Sequence, residues 1–198
     1  MVACMGMAMM TAVSCSNRAE PALAPPIAGA DVQQGLVWGG ATQVAGTRVM
    51  RVDLIRERSD FSSGSLSGEV RNILFLDPAD KAGHWLLPDN RHFFSESLPF
   101  SPKRNDGEDS RPAGTVALVK TVGDDSAAST GRLLVFDAVG RIVEPVADNV
   151  RRLNAASISP SGEFVILFER NRQFVIAVVD QSTFKVKQQQ PFDIPALN

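Results

Sequence analysis

Apolar positions in the last quarter of the chain fall in short runs separated by polar turns. Leu153 to Gln189 carries four such runs: Ala155 to Ser159, Glu163 to Glu169, Gln173 to Asp180 and Phe184 to Gln189. Runs of this length, rich in Val, Ile and Phe and bounded by Gly, Pro, Asn and Ser, predict strands rather than helices. Between the first two lies Ser159-Pro160-Ser161-Gly162. Its proline presets φ and its glycine accepts a positive φ, which predicts a tight turn. Asn171-Arg172 and Asp180-Gln181-Ser182-Thr183 mark the other two turns.

The pattern repeats at irregular spacing. Ser101-Pro102 precedes runs at Thr115 to Val122, Arg132 to Asp137 and Arg141 to Val146, as Ser159-Pro160 precedes its own. An earlier copy covers Gly46 to Arg56, Arg71 to Asp77 and His84 to Leu87. The third strand of each copy ends in an aspartate: Asp77, Asp137 and Asp180. Fixing the following turn through side-chain to backbone hydrogen bonds is the task expected of them. Two copies close alike, in Pro88-Asp89-Asn90-Arg91 and Ala147-Asp148-Asn149-Val150. Polar insertions at Lys103 to Ala113 and Gly123 to Thr130 account for the unequal spacing, since insertions in repeats map to loops.

Elsewhere the alternation of Met50, Val52 and Leu54 with Arg51 and Asp53 predicts a half-buried strand. Helical periodicity is scarce; Ala147 to Ala155 is the one place where a helical turn is expected. The expected organisation is a leader over 1–14, a Pro- and Ala-rich tether over 15–31, one all-β domain over 32–192 and a tail over 193–198. Three antiparallel four-stranded units are expected in that domain, with a β-sandwich as the alternative.

Met1 to Ser14 is uncharged, rich in Met, Ala and Val, and leads into Ala12-Val13-Ser14-Cys15. It is too short to span a bilayer, which needs about 20 apolar residues. Its length suits the apolar region of a secretory signal. These residues resemble a bacterial lipoprotein signal peptide with its lipobox, departing from it in lacking Lys or Arg before Cys15 and in having Ala12 where leucine is common. The resemblance implies cleavage before Cys15, acylation of Cys15 and, with Ser16 following, sorting to the outer membrane facing the periplasm.

Composition narrows the chemistry. Both cysteines, Cys4 and Cys15, lie in the leader, so the body offers no disulfide and no thiol nucleophile. A net charge of −2 with scattered arginines lacks the basic footprint of nucleic-acid binding. The two histidines, His84 and His92, lie close in sequence to Asp89. Two imidazoles and a carboxylate are the minimum for a catalytic zinc site, and they are the candidates for a hydrolase centre near 71–94. Loop or edge histidines are the plainer expectation, with no metal and no cofactor. Ser182-Thr183-Phe184-Lys185 matches S-x-x-K but is expected in a turn, where serine cannot start a helix. Gly64-Ser65-Leu66-Ser67-Gly68 carries leucine where an elbow needs its nucleophile, and Asp106 to Asp109 with Asp124-Asp125 lacks a calcium-loop register. Trp38, Trp85, Phe93 and Phe94 are expected in the core, with an exposed aromatic patch as the other reading.

Ile158-Ser159-Pro160-Ser161-Gly162-Glu163-Phe164 is similar to the turn between the first two strands of TolB-like and WD-repeat-like β-propeller blades, with Ser161 where aspartate is usual. The similarity is clearest over Leu153 to Gln189, partial over Phe94 to Asn149 and faint before that. It implies a propeller-like arrangement, complete or not, that offers a rigid surface of loops to a protein partner. The functional expectation is an envelope-anchored lipoprotein acting as a non-catalytic protein-binding module, of assembly, inhibitor or immunity type. The alternative is the hydrolase.

Overall fold

The computed structural model describes residues 35–57, 68–79, 81–100, 113–123 and 129–192. Among them are eleven strands and no helix. Strands β1 (Leu36–Gln43), β2 (Met50–Glu57), β3 (Gly68–Asp77) and β4 (Ala82–Trp85) form one antiparallel sheet in chain order. Strands β5 (His92–Phe100), β6 (Gly114–Thr121), β7 (Gly131–Asp137), β8 (Val143–Ile158), β9 (Phe164–Arg170), β10 (Gln173–Val179) and β11 (Val186–Phe192) form a second, also in chain order. The fold is all-β and antiparallel, and neither sheet closes into a barrel among the described residues.

The seven-stranded sheet contains two four-stranded units that share β8. From Val143 to Ala147 this strand pairs with β7, and from Arg152 to Ile158 it pairs with β9. Val150 pairs on both sides, with Gly131 and with Arg170. Next to it Asn149 has φ 59°, a left-handed conformation that asparagine tolerates better than most residues. Here the ladder shifts register, and the strand passes from one unit to the next. The helical turn expected over Ala147 to Ala155 is therefore extended strand; hydrogen bonding on both sides overrides its weak local preference.

Three units thus follow one another: β1 to β4, then β5 to the first half of β8, then the second half of β8 to β11. They stack face to face. Val116, Leu118, Leu133 and Val135 of the second unit pack against Phe164, Ile166, Phe168 and Ala177 of the third. On its other face the second unit turns Ala117 and Phe136 toward Ile73 and Phe75 of the first. Alternate residues of β6 and β7 therefore serve opposite layers, which explains their almost continuous apolar runs. Phe100, at the end of β5, stacks on Phe164 with centroids 4.0 Å apart, and Phe184 meets Phe164 edge-on at 5.4 Å.

Phe184 was expected to open the last strand, which begins instead at Val186. It sits in the preceding turn at φ 60° and sends its ring, 4% exposed, into the core. Burial of an aromatic side chain of this size outweighs the backbone cost of about 1–2 kcal/mol. The strands β1 and β5 escaped the sequence pattern because Gly39-Gly40 interrupts one and Pro99 falls near the end of the other. Both carry register shifts.

The three repeated aspartates hold the turns expected of them. The Asp77 carboxylate accepts from the Ala79 N–H at 3.1 Å, Asp137 from Ile142 N–H at 3.0 Å, and Asp180 from Ser182 N–H at 3.0 Å and Thr183 N–H at 2.9 Å.

Candidate functional site

Between the crossing segment 86–91 and the second unit lies a cleft of about 320 Å³. Its apolar floor is Leu87, Val119 and Leu134, which also form a small buried cluster. Around this floor stand His92, Thr121, Arg132, Asp148 and Asn149. Gly131 is required at the wall because a Cβ there would lie 2.4 Å from the Val119 carbonyl oxygen. Any side chain would push β7 away from β6 and open the floor.

The segment that delivers His92 is anchored by one buried side chain. Asn72, wholly buried in β3, donates through Nδ2 to the carbonyl oxygens of Leu87 at 3.0 Å and Asp89 at 3.2 Å. Its Nδ2 also donates to Asn90 Oδ1 at 3.1 Å. In return Asn72 Oδ1 accepts from the N–H groups of Ile73 at 2.9 Å and Leu87 at 3.0 Å. Loop backbone that would otherwise be buried without partners is satisfied this way.

From that platform Asp89 Oδ1 stands 3.1 Å from His92 Nδ1 and accepts the Arg91 N–H at 2.9 Å. Across the cleft, Arg132 Nε donates to Asp148 Oδ1 at 2.8 Å. Both pairs are solvent-accessible, so each contributes little to stability. Their use is in presenting charge. A cationic guanidinium, an imidazole and a carboxylate thus stand around one apolar floor.

Of the three candidate residues from the sequence, Asp89 and His92 come together and His84 does not join them. His84 lines a different cleft, of about 260 Å³, with Asp77 and Arg141. Its ring stacks on Phe75 at 5.5 Å, and Nε2 donates to the Val139 carbonyl at 3.1 Å. It therefore fastens the second unit's turn onto the first. Gly140 belongs to the same fastening: at φ 70°, a Cβ there would lie 2.2 Å from the Phe75 ring. Among the described residues no group of three or more His, Cys, Asp or Glu side chains could hold a metal ion.

Ser182, the serine of the S-x-x-K match, lies in a turn and donates to Asp180 Oδ1 at 2.6 Å. Nearby, Lys187 Nζ bridges Asp180 Oδ2 at 3.0 Å and Glu163 Oε1 at 3.1 Å. Hydrogen bonds from Ser182, Lys187 and Thr183 hold the Asp180 carboxyl well below the usual carboxylate range. Lys187 and Ser161 lower Glu163, and the two carboxylates raise Lys187. These groups tie the two turns at one end of the third unit.

The four aromatic candidates divide. Trp38 is 55% exposed and stacks on the half-buried Trp85 at 5.7 Å, whereas Phe93 is half-buried and Phe94 packs against the buried clusters. Cys15, Ser16 and the acidic runs at 106–109 and 124–125 lie outside the described residues, as does Ser65. No helix among the described residues is long and apolar enough to cross a membrane. Arg132 and the cleft role of Asp148-Asn149 were not singled out as site residues in the sequence. The signal was present in the matching Asp89-Asn90 and Asp148-Asn149, which mark the two crossings between units.

Comparison with family models, with curated proteins and with solved structures finds no match for this chain.

Proposed function

We propose that this protein is a bacterial envelope lipoprotein, anchored through Cys15 at the outer membrane and facing the periplasm, whose propeller-like β domain is a non-catalytic protein-binding module. The observation that carries the binding role is the cleft between the crossing segment 86–91 and the second unit, in which Arg132, His92 and Asp148 surround an apolar floor. Charged groups held on short, well-anchored segments suit recognition of a polypeptide surface, because ordering them on binding costs little entropy. The anchor rests on the Ala12-Val13-Ser14-Cys15 pattern and the Pro- and Ala-rich stretch after it.

The test is capture of companions from native envelopes by the wild-type chain, Cys15→Ala and Arg132→Glu, with mass spectrometry of the bait's N-terminus. A diacylglyceryl-modified Cys15, together with one stoichiometric companion that Arg132→Glu loses while keeping its lipid, supports the reading. An intact leader sinks the anchor, and a companion indifferent to Arg132→Glu sinks the cleft. A second reading, a hydrolase, keeps one supporting observation in the Asp89 and His92 pair. It requires a turnover activity that His92→Ala abolishes.

A further inference from the structure

The third unit repeats the second closely enough to identify what its outer face lacks. Aligning Asp180 with Asp137 through the strand pairings sets Val165 and Leu167 of β9 at the places of Val116 and Leu118 of β6. It likewise sets Ile176 and Val178 of β10 at the places of Leu133 and Val135 of β7. In the second unit all four of these positions are 0% exposed, because the third unit covers them. Their counterparts are half-buried, and none of them belongs to or packs against a buried cluster. Phe192, 49% exposed, extends the same face from β11, where it pairs with Phe174.

The opposite end of the stack carries the matching surface. By the same alignment on Asp77, the outer face of the first unit places Met50, Val52, Leu54, Leu74 and Leu76 where the third unit has Phe164, Ile166, Phe168, Ala177 and Val179. Those are the residues with which the third unit covers the second. Trp38, paired with Leu54, and Trp85, paired with Leu74, lie on this face and stack on each other. Leu54 and Leu74 are 7% exposed, so the part of the face still open is Met50, Val52, Leu76 and the exposed edge of Trp38. One end of the chain therefore repeats the receiving side of the internal seam, and the other end repeats its covering side.

We propose that the occupant of both faces is a second copy of this chain, and that two copies join head to tail at two equivalent seams into one ring of six four-stranded units. The internal seam supplies the geometry, since each new seam continues the same stacking step. Six units fall within the 4–8 blades of closed propellers, where three do not. A face of four seven-residue strands covers roughly 400 Å², so two seams bury roughly 1,600 Å² in all, the size of a stable interface. Two-fold symmetry is satisfied because each copy gives its third unit to the partner's first.

Sedimentation of the full chain carrying Cys15→Ser, which excludes any acyl chain, tests this. The expected species has twice the chain mass at micromolar concentration. Ile176→Lys and Trp38→Glu, one on each face, should each sediment at the chain mass with the far-UV strand signal unchanged. Leu167→Lys replaces Ile176→Lys if that signal is lost. An equimolar mixture of the two single variants should regain twice the chain mass, because one seam is intact and the other carries opposite charges. A monomeric parent overturns the proposal and leaves the faces to another segment or partner. So does a dimer indifferent to either variant, a dimer broken only by Ile176→Lys, or a mixture that stays monomeric. Open filaments would show that the stacking step does not close, and would overturn the ring.

Discussion

The Glu96 carboxylate accepts the backbone N–H of Leu153 at 2.8 Å, joining β5 to β8 across 57 residues of sequence. These are the opening strands of the second and third units. Leu153 lies where the β8 ladder slips register against β9, so its N–H needs a partner from elsewhere. Hydrogen bonds to a charged acceptor contribute about 1.5–3 kcal/mol, and an abandoned donor costs about as much. Glu96→Ala should lower stability by about 2 kcal/mol, or roughly 4–8 °C in Tm. Glu96→Gln, which keeps an acceptor oxygen, should lose less than half of that. Equal losses in calorimetry would mean that packing rather than the hydrogen bond matters at this position.

Asn72 holds the segment that carries Asp89 and His92. Removing its amide in Asn72→Ala takes a partner from the carbonyls of Leu87 and Asp89 and from the N–H groups of Ile73 and Leu87, at a cost of about 3 kcal/mol. The loss should be local first: hydrogen exchange at the Leu87 amide should accelerate well before that of Val135 in the core. Uniform acceleration across both sites would contradict a positioning role for Asn72.

Arg172 is strained. With Asn171 it forms the two-residue turn between β9 and β10, at φ 53° and 64°. Both signs match the primed hairpin turns, in which glycine is the preferred second residue. Arg172→Gly should therefore stabilise the protein by about 1 kcal/mol, raising Tm by roughly 2–4 °C. A fall in Tm on thermal denaturation would show that the arginine side chain contributes more than its backbone costs.

Stability should depend on pH through Asp180, Glu163 and Lys187. The two carboxyls are depressed in the folded chain, so their contribution is complete above the unfolded range near pH 4 and is lost as pH falls toward their folded values. Lys187 is raised, so its contribution is complete below about pH 10 and is lost as pH rises through the folded value. The Tm difference between wild type and Asp180→Asn should be flat from about pH 5 to 9.5 and shrink at both ends. A difference that stays constant down to pH 2 would exclude this linkage.

The fold was legible where the polypeptide obeys local rules. The Ser159-Pro160-Ser161-Gly162 turn, the Asn171-Arg172 hairpin and the three aspartates all act within a few residues of themselves, and their residue types announce it. Phe184 was misplaced because its conformation is dictated by Phe164 and Phe100, which lie distant in sequence. Ala147 to Ala155 was misread because its extended form depends on β7 and β9 pairing from both sides. The cleft was half legible. Asp89 and His92 are three residues apart and meet through a local turn, whereas Arg132, 40 residues on from His92, reaches the site only through the pairing of β5 with β6 and of β6 with β7. His84, close to His92 in sequence, is drawn away by Phe75 and the Val139 carbonyl.

Because β8 belongs to two units at once, the molecule has unequal joints. Between the first and second units the chain crosses through 86–91, a short segment outside any strand, and a whole unit could be added or removed there without severing a ladder. At Val150 no such cut exists, since one residue bonds to strands on either side. A pull on the C-terminus is thus carried through continuous backbone hydrogen bonding as far as β5, and the first place where only side chains resist it is the boundary that holds the cleft.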